Sequence, residues 1–204
     1  MRTTMLGFAM AFGVMALGCA AAANAAPNER LVLAPYPGPP AWKTITDKSA
    51  GEQFYREQIP GNQTVDDFSD ILTWQNFPQE RGADPSVYLR NVFQAAENDC
   101  DGLRVNGPTA AMEGGYRVAY GQVFCGQQKG KPYGVNIFFK AISGDQALYS
   151  AERDVHVPPG VGGVQSFANV QQAQASMKDQ AAANSYLVKS VYLCGARATD
   201  KRCK

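Results

Sequence analysis

The chain is 204 residues long, carries 19 Lys and Arg against 18 Asp and Glu with a single His, and has a formal net charge of +1. An even balance of this kind excludes a nucleic-acid binder that works by counterion release, because such proteins need a basic stripe. The length suits one domain with a real core and is short for two.

The first predicted element is a targeting segment. Arg2 precedes an unbroken apolar and small-residue run from Met5 to Ala23, and Ala23-Asn24-Ala25 closes it with a small-x-small exit, the pattern of a secretory signal peptide. Residues 1–25 are therefore expected to be removed, the mature chain to begin near Ala26, and the protein to work in an oxidising space, the periplasm. Cys19 offers an alternative, since Ala16-Leu17-Gly18 before it resembles a lipobox. Cleavage there would leave a membrane-anchored lipoprotein, and membrane attachment is expected only by that route.

Residues 26–41 form a Pro-rich arm with Pro35, Pro37, Pro39 and Pro40 around Tyr36, a composition that favours an extended polyproline-like course. Such an arm either docks a partner or lies on its own domain and buries Tyr36 and Trp42. Residues 42–204 are expected to form a single domain. Lys43 to Thr46 and Glu52 to Ile59 read as a hairpin, with Pro60-Gly61-Asn62 as the next turn. Thr64 to Asp67 resembles a capped helical turn, and Ile71 to Phe77, with Trp74 inside it, reads as a strand.

Asp84 and Pro85 open a helix whose Leu89, Val92, Phe93 and Ala96 share one face, ending near Cys100. After Asp101-Gly102, alternation returns in Tyr116, Val118, Tyr120 and Phe124, and again in Val135, Ile137 and Phe139. Ser143 to Gln146 reads as a hairpin turn, and Leu148 to Val155 as its outgoing strand. A second helix is expected from Ser166 to Ala182, with Phe167, Val170, Met177 and Ala181 on its apolar face, followed by a closing strand from Tyr186 to Leu193. The predicted fold is α+β, an antiparallel sheet covered by two helices.

Cys100, Cys125, Cys194 and Cys203 remain after signal removal, and an even count in an exported chain reads as two disulfides. Pairing Cys100 with Cys125 and Cys194 with Cys203 joins neighbouring elements in each case. Wide spacing and a lone His argue against zinc and against a Cys-x-x-Cys redox motif.

The chain carries few residues arranged for chemistry. His156 has no Ser or Cys motif to serve, and no Gly-x-Ser-x-Gly elbow exists. Glu97 to Gly102 begins like a calcium loop but would place Pro108 where the closing acid belongs. Gly160 to Gly163 lacks the Lys-Ser or Lys-Thr of a phosphate loop. Asp66, Asp67 and Asp70, with Glu80 nearby, are the carboxylates available to a hydrolase, and acids at the start of a helical turn serve its dipole equally well. Trp74 and Tyr88 are candidates for a ligand-facing aromatic pair. No cofactor and no metal are expected, and Tyr36, Trp42 and Trp74 are the expected partner or ligand contacts.

The order of strand, hairpin, the Val65 to Phe77 segment with Trp74, Pro-capped helix, antiparallel strands, and final helix and strand resembles the PsbP/Mog1-like group over most of residues 42–193. That resemblance implies a binding or assembly role and carries no catalytic residue. The expected function is a non-catalytic periplasmic protein engaging an envelope protein or ligand. A periplasmic inhibitor or immunity protein against a secreted toxic enzyme is the alternative, and a carboxylate-dependent hydrolase the lesser one.

Overall fold

The structure is a computed structural model that describes residues 29–36, 40–160 and 167–203. The expected signal segment, Cys19, and Pro37 and Pro39 of the arm lie outside the described residues, as do positions 161–166 of the glycine-rich connection.

Among the described residues, nine strands and two α-helices follow one another as β1 (Arg30–Leu33), β2 (Trp42–Ala50), β3 (Gln53–Pro60), β4 (Asp70–Phe77), α1 (Pro85–Ala96), β5 (Cys100–Glu113), β6 (Tyr116–Gln128), β7 (Gly134–Ser143), β8 (Leu148–Val157), α2 (Val170–Ser190) and β9 (Val191–Cys194). Seven strands make one antiparallel sheet in the order β2-β3-β4-β8-β7-β6-β5, and β1 pairs with β9 in a separate two-stranded sheet. The α+β reading therefore holds, with a second small sheet that the sequence did not reveal.

The two helices lie on opposite faces of the large sheet. Alternation along central β7 shows this directly: Phe138 packs with Ala183, Tyr186 and Leu187 of α2, and its neighbour Phe139 packs with Leu89 and Phe93 of α1. The α1 seat depends on one glycine. A Cβ at Gly121 would lie 2.3 Å from Phe93 Cζ, so only glycine lets that ring settle on β6. Asp84 caps α1 as expected, its Oδ1 accepting from the amides of Ser86 at 2.7 Å and Val87 at 3.3 Å.

Three expectations need correction. The segment from Thr64 to Asp67 is a single bend closed by Asp67 N donating to Thr64 O at 3.2 Å, and it does not continue as a helix. Cys100–Glu113, left without an element, is the longest strand, β5. Its Asn106-Gly107-Pro108 stretch reads as a turn in sequence, yet it is taken up in a register shift between Asn106 and Thr109. Gly107, at φ 98°, serves that shift, since a Cβ there would sit 2.8 Å from the Tyr120 carbonyl oxygen. Finally, α2 begins later and runs through Ser190, absorbing most of the expected last strand. Its buried face is Ala183, Tyr186 and Leu187, whereas Val170 and Met177 are 67% and 61% exposed. Tertiary contact with β7 to β9, at the C-terminal half only, decided which face turned inward.

Both disulfides form with the expected pairing: Cys100 with Cys125 ties β5 to β6, and Cys194 with Cys203 ties β9 to the last turn. At the end of α2 the buried Lys140 of β7 closes the helix. Its Nζ donates to Val191 O at 2.7 Å and to Glu113 Oε2 at 2.6 Å, supplying a donor to a carbonyl at the helix end.

Candidate functional site

An aromatic cavity of about 550 Å³ opens on the α2 side of the sheet, within the range of small-molecule pockets. One wall is the chain leaving β1, through Ala34 and Pro35 to Tyr36. The floor comes from Gln58 of β3 and Trp74 of β4, with Trp42 at the start of β2, and Tyr186 of α2 closes the far side. Alternation brings the floor together, because Gln58, Trp74 and Arg153 all face the α2 layer in the registered strands.

Tyr36 is the centre of the arrangement. Its ring lies 4.9 Å from that of Trp42 and 4.7 Å from that of Tyr186, tilted by 42° and 50°. The Arg153 guanidinium sits 4.6 Å above the Tyr36 ring, close enough for a cation–π contact, and Arg153 Nη1 donates to the Tyr36 hydroxyl. Arg153 itself, 5% exposed, is held in a two-point pairing with Asp70: Nε donates to Asp70 Oδ1 at 2.8 Å and Nη2 to Oδ2. Tyr186 Oη donates to Ala34 O at 2.6 Å and fixes the chain leaving β1.

The electrostatic consequence is a neutral cavity. Among the described residues, none that lines it carries a formal charge. Burial raises the Tyr36 and Tyr186 phenols above the ordinary tyrosine range, so both stay protonated. Burial also raises Asp70 despite its bonds to Arg153. The Arg153–Asp70 pair is thus closed on itself beside Tyr36, and the cavity offers ring faces and the Gln58 side chain, whose Nε2 donates to Thr44 Oγ1 at 3.2 Å.

No family model matches the chain, and no curated protein matches it. Among solved structures the chain is similar to LpqN of Mycobacterium tuberculosis, a protein involved in cell envelope biogenesis, at 13% identity over 82% of this chain and 84% of that one, with a TM-score of 0.42. A likeness of that depth carries no residue and no role across.

Of the residues singled out in sequence, Tyr36, Trp42 and Trp74 meet in this one cavity. Trp74 and Tyr88 do not form a pair, since Trp74 packs in the α2 layer and Tyr88 in the α1 layer. Asp66 and Asp67 are exposed on the bend before β4, Glu80 is exposed in a short 3-10 turn, and Asp70 turns inward onto Arg153. Among the described residues no three His, Cys, Asp or Glu side chains are arranged to hold a metal ion, and no helix is long and apolar enough to cross a membrane. Gln58, Arg153 and Tyr186 went unnoticed in sequence. Tyr186 was hidden by the strand assigned there, while an arginine on the covered face of β8 was detectable as a charge interrupting the apolar set Tyr149, Ala151 and Val155.

Proposed function

We propose that this is a non-catalytic binding protein of the cell envelope that receives, in the aromatic cavity, an uncharged flat group such as a proline or aromatic side chain presented by an envelope protein. The observation that carries the reading is the neutral cavity itself, with four aromatic rings around it. Proline and aromatic rings match such walls because they bury ring area at little entropic cost, whereas an anionic ligand would lose its hydration without gaining a partner. The two disulfides suit an oxidising compartment and support the exported placement, with the periplasm as the specific compartment. A PsbP/Mog1-like relationship is part of the same proposal and rests on the order of elements.

The protein carries its own reporter, since Trp42 and Trp74 are its two tryptophans and both line the cavity. Titration with Pro-rich and Phe- or Tyr-containing peptides is expected to shift tryptophan emission, and Tyr186→Ala to weaken that response. A response to neutral oligosaccharides alone would replace the protein-partner reading, and no response to either would overturn the cavity as the site.

A further inference from the structure

β5 ends the seven-stranded sheet, and its outer edge is open: among the described residues no second strand pairs with it and no loop backbone bonds to it. Such an edge is a row of unused N–H and C=O groups that another strand can complete, and sheets commonly guard it with charged side chains. The opposite edge is guarded in that way, since β2 carries Lys43, Asp47 and Lys48. β5 is not. From Val105 to Met112 it is uncharged, and every residue of that run except Pro108 is exposed. Val105 is 43% exposed and Met112 65%, so two large apolar side chains stand in water at the ends of the run.

Opposite charges flank it, Arg104 before and Glu113 after. Arg104 is exposed and has no ion pair among the described residues. Glu113 accepts from Lys140 Nζ at 2.6 Å and from the Tyr120 hydroxyl. Its side chain is nonetheless 31% exposed, and a carboxylate has lone pairs to spare for another donor.

The bulge in β5 makes the run match its own reverse. Asn106 pairs with Gln122 and Thr109 with Tyr120, so Gly107 and Pro108 together take the place opposite Gly121. Val105 and Met112 would point to opposite faces of a regular strand, because the interval between them is odd. The extra residue turns them to the same face, opposite Val123 and Arg117, while Arg104 and Glu113 share the other face, opposite Phe124 and Tyr116.

We propose that β5 pairs antiparallel with β5 of a second copy of this chain, about a two-fold axis between Pro108 and Thr109, joining two sheets edge to edge. In that register Val105 meets Met112 of the partner subunit, Asn106 meets Ala111 of the partner subunit and Arg104 meets Glu113 of the partner subunit. Two-fold symmetry makes each pair occur twice. The apolar pairs cover the exposed side chains, and the charged pairs fix direction and register, since a parallel or shifted copy loses them. A bulge and a proline ordinarily discourage edge pairing; here they lie at the axis, and the arms on either side carry the ladder. The aromatic cavity is built on β2, β3 and β4 at the other end of the sheet, so neither proposal depends on the other.

The test is sedimentation equilibrium of the whole protein, both disulfides formed, from about 1 to about 500 μM. A reversible equilibrium between monomer and dimer is expected. Arg104→Glu, Val105→Lys and Met112→Glu change exposed positions and are expected to leave the circular dichroism of the fold unchanged. Each is expected to weaken dimerisation about fivefold or more, because each acts twice across the axis. Val105→Lys combined with Met112→Glu sets opposite charges against each other in this register alone and is expected to restore the dimer. A monomer at every concentration would overturn the proposal and leave the edge to a strand of a different protein. A dimer indifferent to Arg104→Glu and Val105→Lys would place the interface elsewhere and overturn it too, as would a double variant no tighter than its two single ones.

Discussion

Replacing Lys140 with methionine tests whether a buried ammonium closes α2. The lysine side chain is 0% exposed, its Glu113 partner 31%, and its Nζ reaches Glu113 Oε2 at 2.6 Å and Val191 O at 2.7 Å. Methionine keeps most of the stem but removes both bonds, each worth about 1.5–3 kcal/mol when the donor is charged, and leaves the Val191 carbonyl without that donor. Relief of the lysine's own desolvation offsets part of this, a cost visible in the way burial pulls its pKa below the ordinary value. The expected net loss is about 3 kcal/mol, which for a chain of this size lowers Tm by about 6–12 °C. Denaturant unfolding of the wild type, Lys140→Met, Glu113→Gln and the double variant at neutral pH supplies both the loss and the coupling. A Lys140→Met protein within about 1 kcal/mol of wild type would refute the reasoning, since the ammonium would then do no more than a buried methyl.

Gly121→Ala places a Cβ 2.3 Å from Phe93 Cζ and should cost about 1–3 kcal/mol by overpacking, with Phe93→Leu in the same chain recovering part of the loss in thermal unfolding. Breaking Cys100–Cys125, a separation of 25 residues, should destabilise more than breaking Cys194–Cys203, a separation of 9; loop entropy gives about 3.5 against about 2.6 kcal/mol, and an order reversed in calorimetry would point to local strain instead. Because Glu152 is raised to about 7 by burial and by Glu57, the folded protein holds a proton that the unfolded chain releases between about pH 4.5 and 7. Its contribution to stability is therefore present at acid pH and lost as pH rises through that window, by up to about 3 kcal/mol. Glu152→Gln should flatten the curve there, and an unchanged slope would show that the carboxyl is ionised throughout.

Much of the sheet was legible because half-buried strands alternate: Tyr116 to Phe124 and Val135 to Phe139 show period two, and Asp84-Pro85 announces α1. β5 was not legible, since an edge strand with few buried residues has little apolar signal and Asn106-Gly107-Pro108 mimics a turn. The inward face of α2 was misread because Val170 and Met177, the residues that suggest an apolar stripe, lie on the half that overhangs the sheet. The aromatic cavity was only partly visible: Tyr36 and Trp42 are near in sequence, but Trp74 and Tyr186 join them through register and helix placement. The polar alternation Ser150-x-Glu152-x-Asp154-x-His156 was visible along one strand, but which layer covers it was not.

The pairing of β1 with β9 sets an order on completing the fold. Arg30 lies opposite Cys194 and Leu33 opposite Val191, and β1 joins no other strand among the described residues. A chain made or threaded from its N-terminus therefore carries β1 unpaired while the seven-stranded sheet assembles behind it. The aromatic wall beside β1 can reach its final form only after the last strand has arrived. A chain cut short before β9 would retain the strands of the main sheet and the Tyr186–Ala34 bond, but would lack the ladder that seats β1 beneath the Tyr36 wall.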